Sequence, residues 1–341
     1  MRGPAVPSRD SAHPRCNLIS DDQAAAIARQ ALNVQPKHVV RQTLTQSGND
    51  VFRADLADGR SVVLRTSPRR GAFAHTARNL EALRRLDLPV QNVLAAGTIG
   101  PPARESAPSA AEPSGSFIVL DWLAGRDLGF ELPTMSREDM TRVAETVTDV
   151  QRRVATLPRS TGFGWAPIGR NADAPRWTEI FGPAPEPTAE GVPHDPALPR
   201  LDRLRARLAS VRRRVEPHFD SVRPICFLDD LTTKNVLIEN GRLTGLIDFD
   251  EVCYGDPLMS VGSTLAHLAT DVGPSGQFYG EELVRLASPG PDALRAIRFY
   301  AALWTLGFAS IASAAESAGD GPRATALLES AEHALRLAEA E

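Results

Sequence analysis

Leu228-Asp229-Asp230-Leu231-Thr232-Thr233-Lys234-Asn235-Val236-Leu237-Ile238-Glu239-Asn240-Gly241-Arg242-Leu243-Thr244-Gly245-Leu246-Ile247-Asp248-Phe249-Asp250 holds the densest chemistry in this 341-residue chain. Asn240-Gly241 between two apolar runs is the strongest short signal for a β-hairpin with a two-residue turn. Such a turn sets Glu239 against Arg242, and by the same count Asn235 against Leu246. Asp248 is then one two-residue step further along, about 7 Å away on the same face. Asp230 precedes the first strand by a short loop and reaches the same open end. Two carboxylates and a carboxamide there supply hard oxygen ligands for Mg²⁺, with one carboxylate left over.

Upstream, Ser20-Asp21-Asp22-Gln23 has capping-box spacing and Gln23 to Leu32 supplies the helix behind it. Residues 1–18, with Pro4, Pro7 and Pro14, read as a disordered tail. Val39 to Leu44, Val51 to Leu56 and Ser61 to Thr66 read as strands. Asp58-Gly59 is the turn between the last two, which sets Arg65 opposite Phe52. Phe73 to Leu86 has helical spacing and ends at Leu88-Pro89. Val93 to Ala95 and Phe117 to Leu120 are short strands around a Pro/Ser/Ala-rich insert. After Gly125 the pattern turns mainly helical: Arg137 to Leu157, Leu201 to Val215, Leu258 to Ala269, Glu281 to Leu286, Asp292 to Ala315 and Pro322 to Ala340. The fold class is α+β, a small antiparallel-sheet lobe over 19–124 and a larger helical lobe over 125–341 that contains the hairpin.

The composition narrows the function classes. Hydrophobic residues at 42% and charged residues at 23% describe a globular protein. No stretch approaches the length of a bilayer span, and the N-terminus lacks the pattern of a secretory signal. Cys16, Cys226 and Cys253 form no C-x-x-C pair, which points to free thiols in a reducing cytoplasm. The net charge of −4 argues against nucleic acid as a partner. It divides into about −10 over residues 217–341 and +6 before them. The acidic part suits a cationic substrate or a solvated surface equally. The arginines at 203, 205, 207 and 212 to 214 read as a solvated helix face. Trp165, Trp177 and Phe181 fit either a substrate pocket or a loop anchor.

Asp-x-x-x-x-Asn, a short hairpin and then Ile-Asp-Phe-Asp resembles the catalytic and metal-binding loops of the aminoglycoside phosphotransferase family, which has a protein-kinase-like two-lobe fold. The resemblance implies that Asp230 is the catalytic Asp that orients the acceptor hydroxyl, and that Asn235 and Asp248 are Mg²⁺ ligands. Asp229 would leave five residues before Asn235 instead of four, so the spacing selects Asp230. Asp250 falls where the family varies, and the reading it allows is a supporting carboxylate behind the metal ligands. Asp256, in Gly255-Asp256-Pro257, resembles a structural Asp that caps the next helix. Leu228 departs from the pattern, standing where the family usually has a His that packs and orients the loop.

On the nucleotide side, the loop of Ser47, Gly48 and Asn49 is the candidate phosphate cradle. Arg65 resembles the Arg variant of the family's third-strand cation, a bidentate grip on the α- and β-phosphates. The following helix should offer an acid to hold that cation. Glu81 is the acid available, whereas the family register lands on Asn79, and residues two apart point to different sides of a helix. Residues 120–125 resemble the hinge between lobes, where the backbone of Asp121 and Leu123 would hydrogen-bond the purine.

The function these features imply is transfer of the γ-phosphate of ATP or GTP, with Mg²⁺, to a hydroxyl of a small molecule, an antibiotic or related natural product. The partners implied are a nucleoside triphosphate and a hydroxylated acceptor, with no nucleic acid or membrane, in a monomer or homodimer. Two other readings fit the same motifs: a choline- or homoserine-type metabolite kinase, and a non-catalytic pseudokinase-like binding module.

Overall fold

The computed structural model describes residues 19–42, 49–100, 115–182, 199–315 and 322–340. These divide into two compact units at Ala124/Gly125. Three residues break the simple order, because Phe249–Glu251 belong to the smaller, N-terminal unit although Asp248 and Val252 belong to the larger one.

The smaller unit begins with helix α1 (Asp21–Leu32), opened by the full capping box: Gln23 N donates to Ser20 Oγ and Ser20 N to Gln23 Oε1. Ala24 and Ala28, four residues apart, are fully buried, and Ala24 joins a core with Phe52, Leu56, Val62, Leu64 and Val119. That core lies on one face of a five-stranded antiparallel sheet in the order β1-β2-β3-β5-β4. The strands are β1 (Pro36–Arg41), β2 (Asp50–Leu56), β3 (Ser61–Ser67), β4 (Val93–Ile99) and β5 (Gly115–Asp121), with helix α2 (Ala74–Arg84) between β3 and β4. In β2 the positions from Asp50 to Leu56 alternate between buried and half-buried, the period-two signature of a strand packed on one face. The turn from β2 to β3 corrects the predicted register. Leu56 N donates to Arg60 O, leaving three residues in the loop with Gly59 at φ +89°. Three-residue loops of this kind place glycine in the left-handed region. Phe52 therefore pairs with Leu64, and Arg65 with Val51 rather than Phe52.

The larger unit holds β6 (Arg126–Asp127), α3 (Leu128–Glu131), α4 (Arg137–Val154), β7 (Gly164–Ala166), α5 (Arg200–Ser221), β8 (Ile225–Phe227), β9 (Val236–Glu239), β10 (Arg242–Leu246), β11 (Val252–Gly255), α6 (Leu258–His267), α7 (Gln277–Ala287), α8 (Pro291–Ala315) and α9 (Pro322–Ala340). Two three-stranded sheets, β10-β9-β6 and β7-β11-β8, sit among these helices. α5 runs six residues beyond the predicted end and through Pro217, because Phe219 belongs to the aromatic core with Trp177, Phe227, Phe299 and Tyr300. The arginines of α5 are not simply solvated: Arg200 and Arg207 make two-pronged pairs with Glu332 and Glu339 of α9. Arg212 is buried and donates to the Gly182 and Thr178 carbonyls. Trp177 is in the core and donates to the Tyr300 hydroxyl at 2.7 Å, so it anchors its loop. Cys226 and Cys253 are buried free thiols. Among the described residues no helix is long and apolar enough to cross a membrane.

Candidate active site

The hairpin forms around its turn. Asn240 and Gly241 have φ of 51° and 71°, the two positive values that a type I′ turn requires. Glu239 pairs with Arg242 and Ile238 with Leu243. A bulge at Thr244 then shifts the ladder by one residue, so that Leu237 pairs with Gly245 and Val236 with Leu246. The predicted match of Asn235 with Leu246 is accordingly wrong by one: Ile247 N donates to Asn235 O at 3.0 Å. Asp248 directly follows that pair, and its φ of 68° takes it out of strand geometry. An Asp tolerates the left-handed region better than most residues. The bulge thus draws Asp248 one residue nearer to Asn235 than an uninterrupted hairpin would.

The loop before β9 is built from its own backbone. Asn235 is buried, and its Nδ2 donates to Asp230 O at 2.8 Å while its N–H donates to Thr232 O. With the amide nitrogen used in this way, Oδ1 is the end of the side chain suited to a cation. Thr232 donates to Asp230 Oδ1 at 3.3 Å. Asp230 and Asp248 are both exposed on either side of buried Asn235. Among the described residues no three His, Cys, Asp or Glu side chains cluster as a metal site. A carboxamide and a carboxylate are the ligand types that could serve Mg²⁺, a cation that usually takes only one or two protein carboxylates.

Neighbouring side chains explain why Asp229 and Asp230 differ. Trp165 Nε1 donates to Asp229 Oδ2 at 2.6 Å, which fixes that carboxylate on β7. Leu228 is buried, and Gln151 of α4 clamps its peptide from both sides: Leu228 N donates to Gln151 Oε1 at 3.0 Å, and Gln151 Nε2 to Leu228 O at 2.7 Å. Lys234 pairs with Asp271 at 2.8 Å. The Asp271 carboxyl lies well below the usual range because His267, then Lys234, hydrogen-bond it, against the opposing effect of burial. Asp127, in β6, is pushed the other way by burial, with Lys234 and Arg126 partly offsetting this.

In the smaller unit Arg65 is buried on β3, with its guanidinium 5.4 Å from the Phe73 ring centroid. Its carboxylate partner is Asp250, with Nη1 to Oδ1 at 3.0 Å and Nη2 to Oδ2 at 2.6 Å. Thr76 Oγ1 donates to the same Oδ1 at 2.7 Å. Glu81 does not fill the expected role. It lies on the exposed side of α2 and pairs with Arg85 one turn later. Asn79 occupies the inward register and donates to the carbonyls of Phe249 and Asp250 at 3.0 and 3.2 Å. Asn49, immediately before β2, is buried, while Ser47 and Gly48 lie outside the described residues.

At Asp121 both backbone groups already have partners: N–H donates to Asn92 O, and the carbonyl accepts from Gln91 Nε2 at 2.9 Å. A purine contact there is limited to the carbonyl's second lone pair. Leu123, two residues on, is half-buried. The pairing of Asp250 with Arg65, the Gln151 clamp and the Trp165–Asp229 pair escaped sequence reasoning. The signal for the first was present in Thr76 and Asn79, two polar residues three apart on the face of α2 that also buries Leu80 and Leu83.

The sequence profile of the phosphotransferase enzyme family matches residues 40–300. No curated protein matches the chain. Among solved structures, aminoglycoside phosphotransferase APH(4)-Ia in complex with ADP and hygromycin B is 17% identical, with a TM-score of 0.61 over 92% of this chain and 98% of that one. The amicoumacin kinase hAmiN, with AMP-PNP, Ca²⁺ and Ami, is 13% identical, with a TM-score of 0.61 over 94% of both chains. A putative fructosamine-3-kinase from Thermobifida fusca YX-ER1 is 17% identical, with a TM-score of 0.54 over 93% of this chain and all of that one. At these identities the likeness shows the fold, which is kinase-like. The family match covers well over half of the sequence, and the chain belongs to the phosphotransferase enzyme family.

Proposed function

We propose that the protein transfers the γ-phosphate of ATP or GTP to a hydroxyl of a small molecule, with an antibiotic or related natural product as the acceptor class. The observation that carries this reading is the Asp230–Asn235–Asp248 set, in which exposed carboxylates flank a carboxamide whose nitrogen is fixed on Asp230 O. Asp230 orients the acceptor hydroxyl and takes its proton as the oxygen attacks the γ-phosphorus. The O–P bond to the acceptor forms as the bond to the β–γ bridging oxygen breaks, and the nucleoside diphosphate leaves. Asn235 Oδ1 and the Asp248 carboxylate would hold Mg²⁺, which neutralises phosphate charge when bound. Arg65 grips the α- and β-phosphates, with Asn49, Ser47 and Gly48 as the adjoining cradle. Positioning and charge neutralisation supply the catalysis. Nucleotides in the complexes of APH(4)-Ia and hAmiN support the donor, and hygromycin B in the former supports the acceptor class.

The test is phosphotransfer from ATP and from GTP to a panel of hydroxylated antibiotics, with choline and homoserine included. Asp230→Asn should lower kcat by about 10²–10⁴-fold with nucleotide binding retained. Unchanged turnover in that variant would overturn the mechanism. A wild-type protein that binds Mg²⁺-nucleotide and phosphorylates nothing would favour a binding module instead.

A further inference from the structure

We infer that Asp250 is a positioning residue for the nucleotide, holding Arg65 in the orientation that grips the phosphates, and that helix α2 contributes through this borrowed carboxylate rather than one of its own. The inference rests on the phosphotransferase reading above and assigns a role to a residue that reading leaves unused.

The case begins with the guanidinium. Arg65 is buried to 8% exposure, and a buried cation needs a paired, hydrogen-bonded anion. Asp250 meets it in a two-pronged fork, the arrangement that fixes both the distance and the plane of an arginine. A single-point contact would leave the group free to swing about its long stem. The fork commits two of the five guanidinium N–H donors and dictates where the others point.

Asp250 is itself held on every side that matters. Thr76 Oγ1 donates to Oδ1, the oxygen that Arg65 Nη1 also engages. Asn79 Nδ2 donates to the carbonyls of both Phe249 and Asp250, so the backbone as well as the side chain is fixed. Thr76 and Asn79 are buried to 1% and 0% exposure and lie three residues apart on one face of α2. Both are neutral donors, and neither can neutralise a cation. They can orient one that arrives from elsewhere, and what arrives is a carboxylate 185 residues further along the chain. Phe249–Glu251 belongs to the smaller unit, as this account requires.

The experiment compares direct binding of ATP and GTP, and of adenosine and guanosine, to the full chain with Mg²⁺ present. For wild type, the triphosphate should bind much more tightly than its nucleoside. Asp250→Asn should lower triphosphate affinity about tenfold or more with nucleoside affinity unchanged. Thr76→Val, which removes one hydroxyl and keeps the ion pair, should give a smaller loss of the same kind. It carries the test alone if Asp250→Asn does not fold. An unchanged ratio of triphosphate to nucleoside affinity in the folded variants would overturn the inference. So would tighter triphosphate binding, which would mean that Asp250 competes with phosphate for Arg65. Wild-type protein that binds no nucleotide would overturn the underlying reading itself, a result separable from the first because it appears before any substitution is made.

Discussion

Gln151 reaches from α4 to donate to Leu228 O and to accept from Leu228 N, and its Nε2 also lies 3.1 Å from Ser260 Oγ. One amide therefore satisfies both backbone groups of a buried residue two positions before Asp230. Leu228 stands where the family resemblance leads one to expect a loop-orienting His. The structure shows orientation supplied through the backbone, which does not depend on the side chain at 228. Gln151→Ala strands two buried peptide groups, each costing about 1–3 kcal/mol. We expect a corresponding fall in unfolding free energy by urea denaturation, with kcat falling further than nucleotide affinity. A variant with wild-type stability would mean that the clamp is dispensable. Trp165 acts on the other side of the loop. By holding Asp229 it ties up the first of the two adjacent carboxylates, while Asp230 stays exposed.

Between elements, close approach decides the sequence at Gly255, the last residue of β11. A Cβ there would lie 1.9 Å from Trp177 Cζ3 and 2.2 Å from Cε3. Trp177 cannot give way easily, because it is in the core and donates to Tyr300. Gly255→Ala should cost at least about 1–3 kcal/mol, the usual range for overpacking, and thermal unfolding would register it. An unshifted melting curve would show that the ring can move.

Elements also mark where sequence reading succeeds and stops. The capping box of α1 and the Asn240-Gly241 turn are legible because a few adjacent residues determine them. The bulge at Thr244 has only a weak signal, because the isolated Gly245 in a strand pattern hints at a bulge without fixing the register it produces. The three-residue loop before β3 misled the register in the same way, by one position. Glu81 departs from expectation for a different reason: the carboxylate that pairs with Arg65 is not an acid of the next helix but Asp250, 185 residues along the chain. Asp230, Asn235 and Asp248 stood out because their spacing was itself the signal.

Across the larger unit, a buried polar chain links four parts of the fold. Trp177 donates to Tyr300, Tyr300 donates to Asp256 Oδ2 at 2.8 Å, and His218 Nε2 lies 2.8 Å from that same oxygen. Leu258 N, the first N–H of α6, donates to the other oxygen, so Asp256 also meets the start of that helix. The hydrogen bond to Asp256 holds the His218 imidazole above its ordinary value, and burial only partly opposes it. A raised folded-state value means that the stabilisation is complete below the unfolded value of about 6.5 and is lost as pH rises through the folded one. Urea midpoints should therefore decline above neutral pH in the wild type, and His218→Gln should lack that component. Parallel curves for the two proteins across this window would contradict the assignment.

The excursion of Phe249–Glu251 into the smaller unit has a consequence for how the chain is made. A ribosome releases residues up to Ala124 long before it reaches Phe249. At about 5–20 residues per second, that interval is on the order of ten seconds. During it, the nascent N-terminal unit has α1, its sheet and α2, but Arg65, Thr76 and Asn79 lack their later partner. Vectorial synthesis therefore leaves this unit unfinished until most of the second has emerged. The same logic limits dissection: a fragment ending at Ala124 would carry a buried cation without Asp250, however complete its sheet.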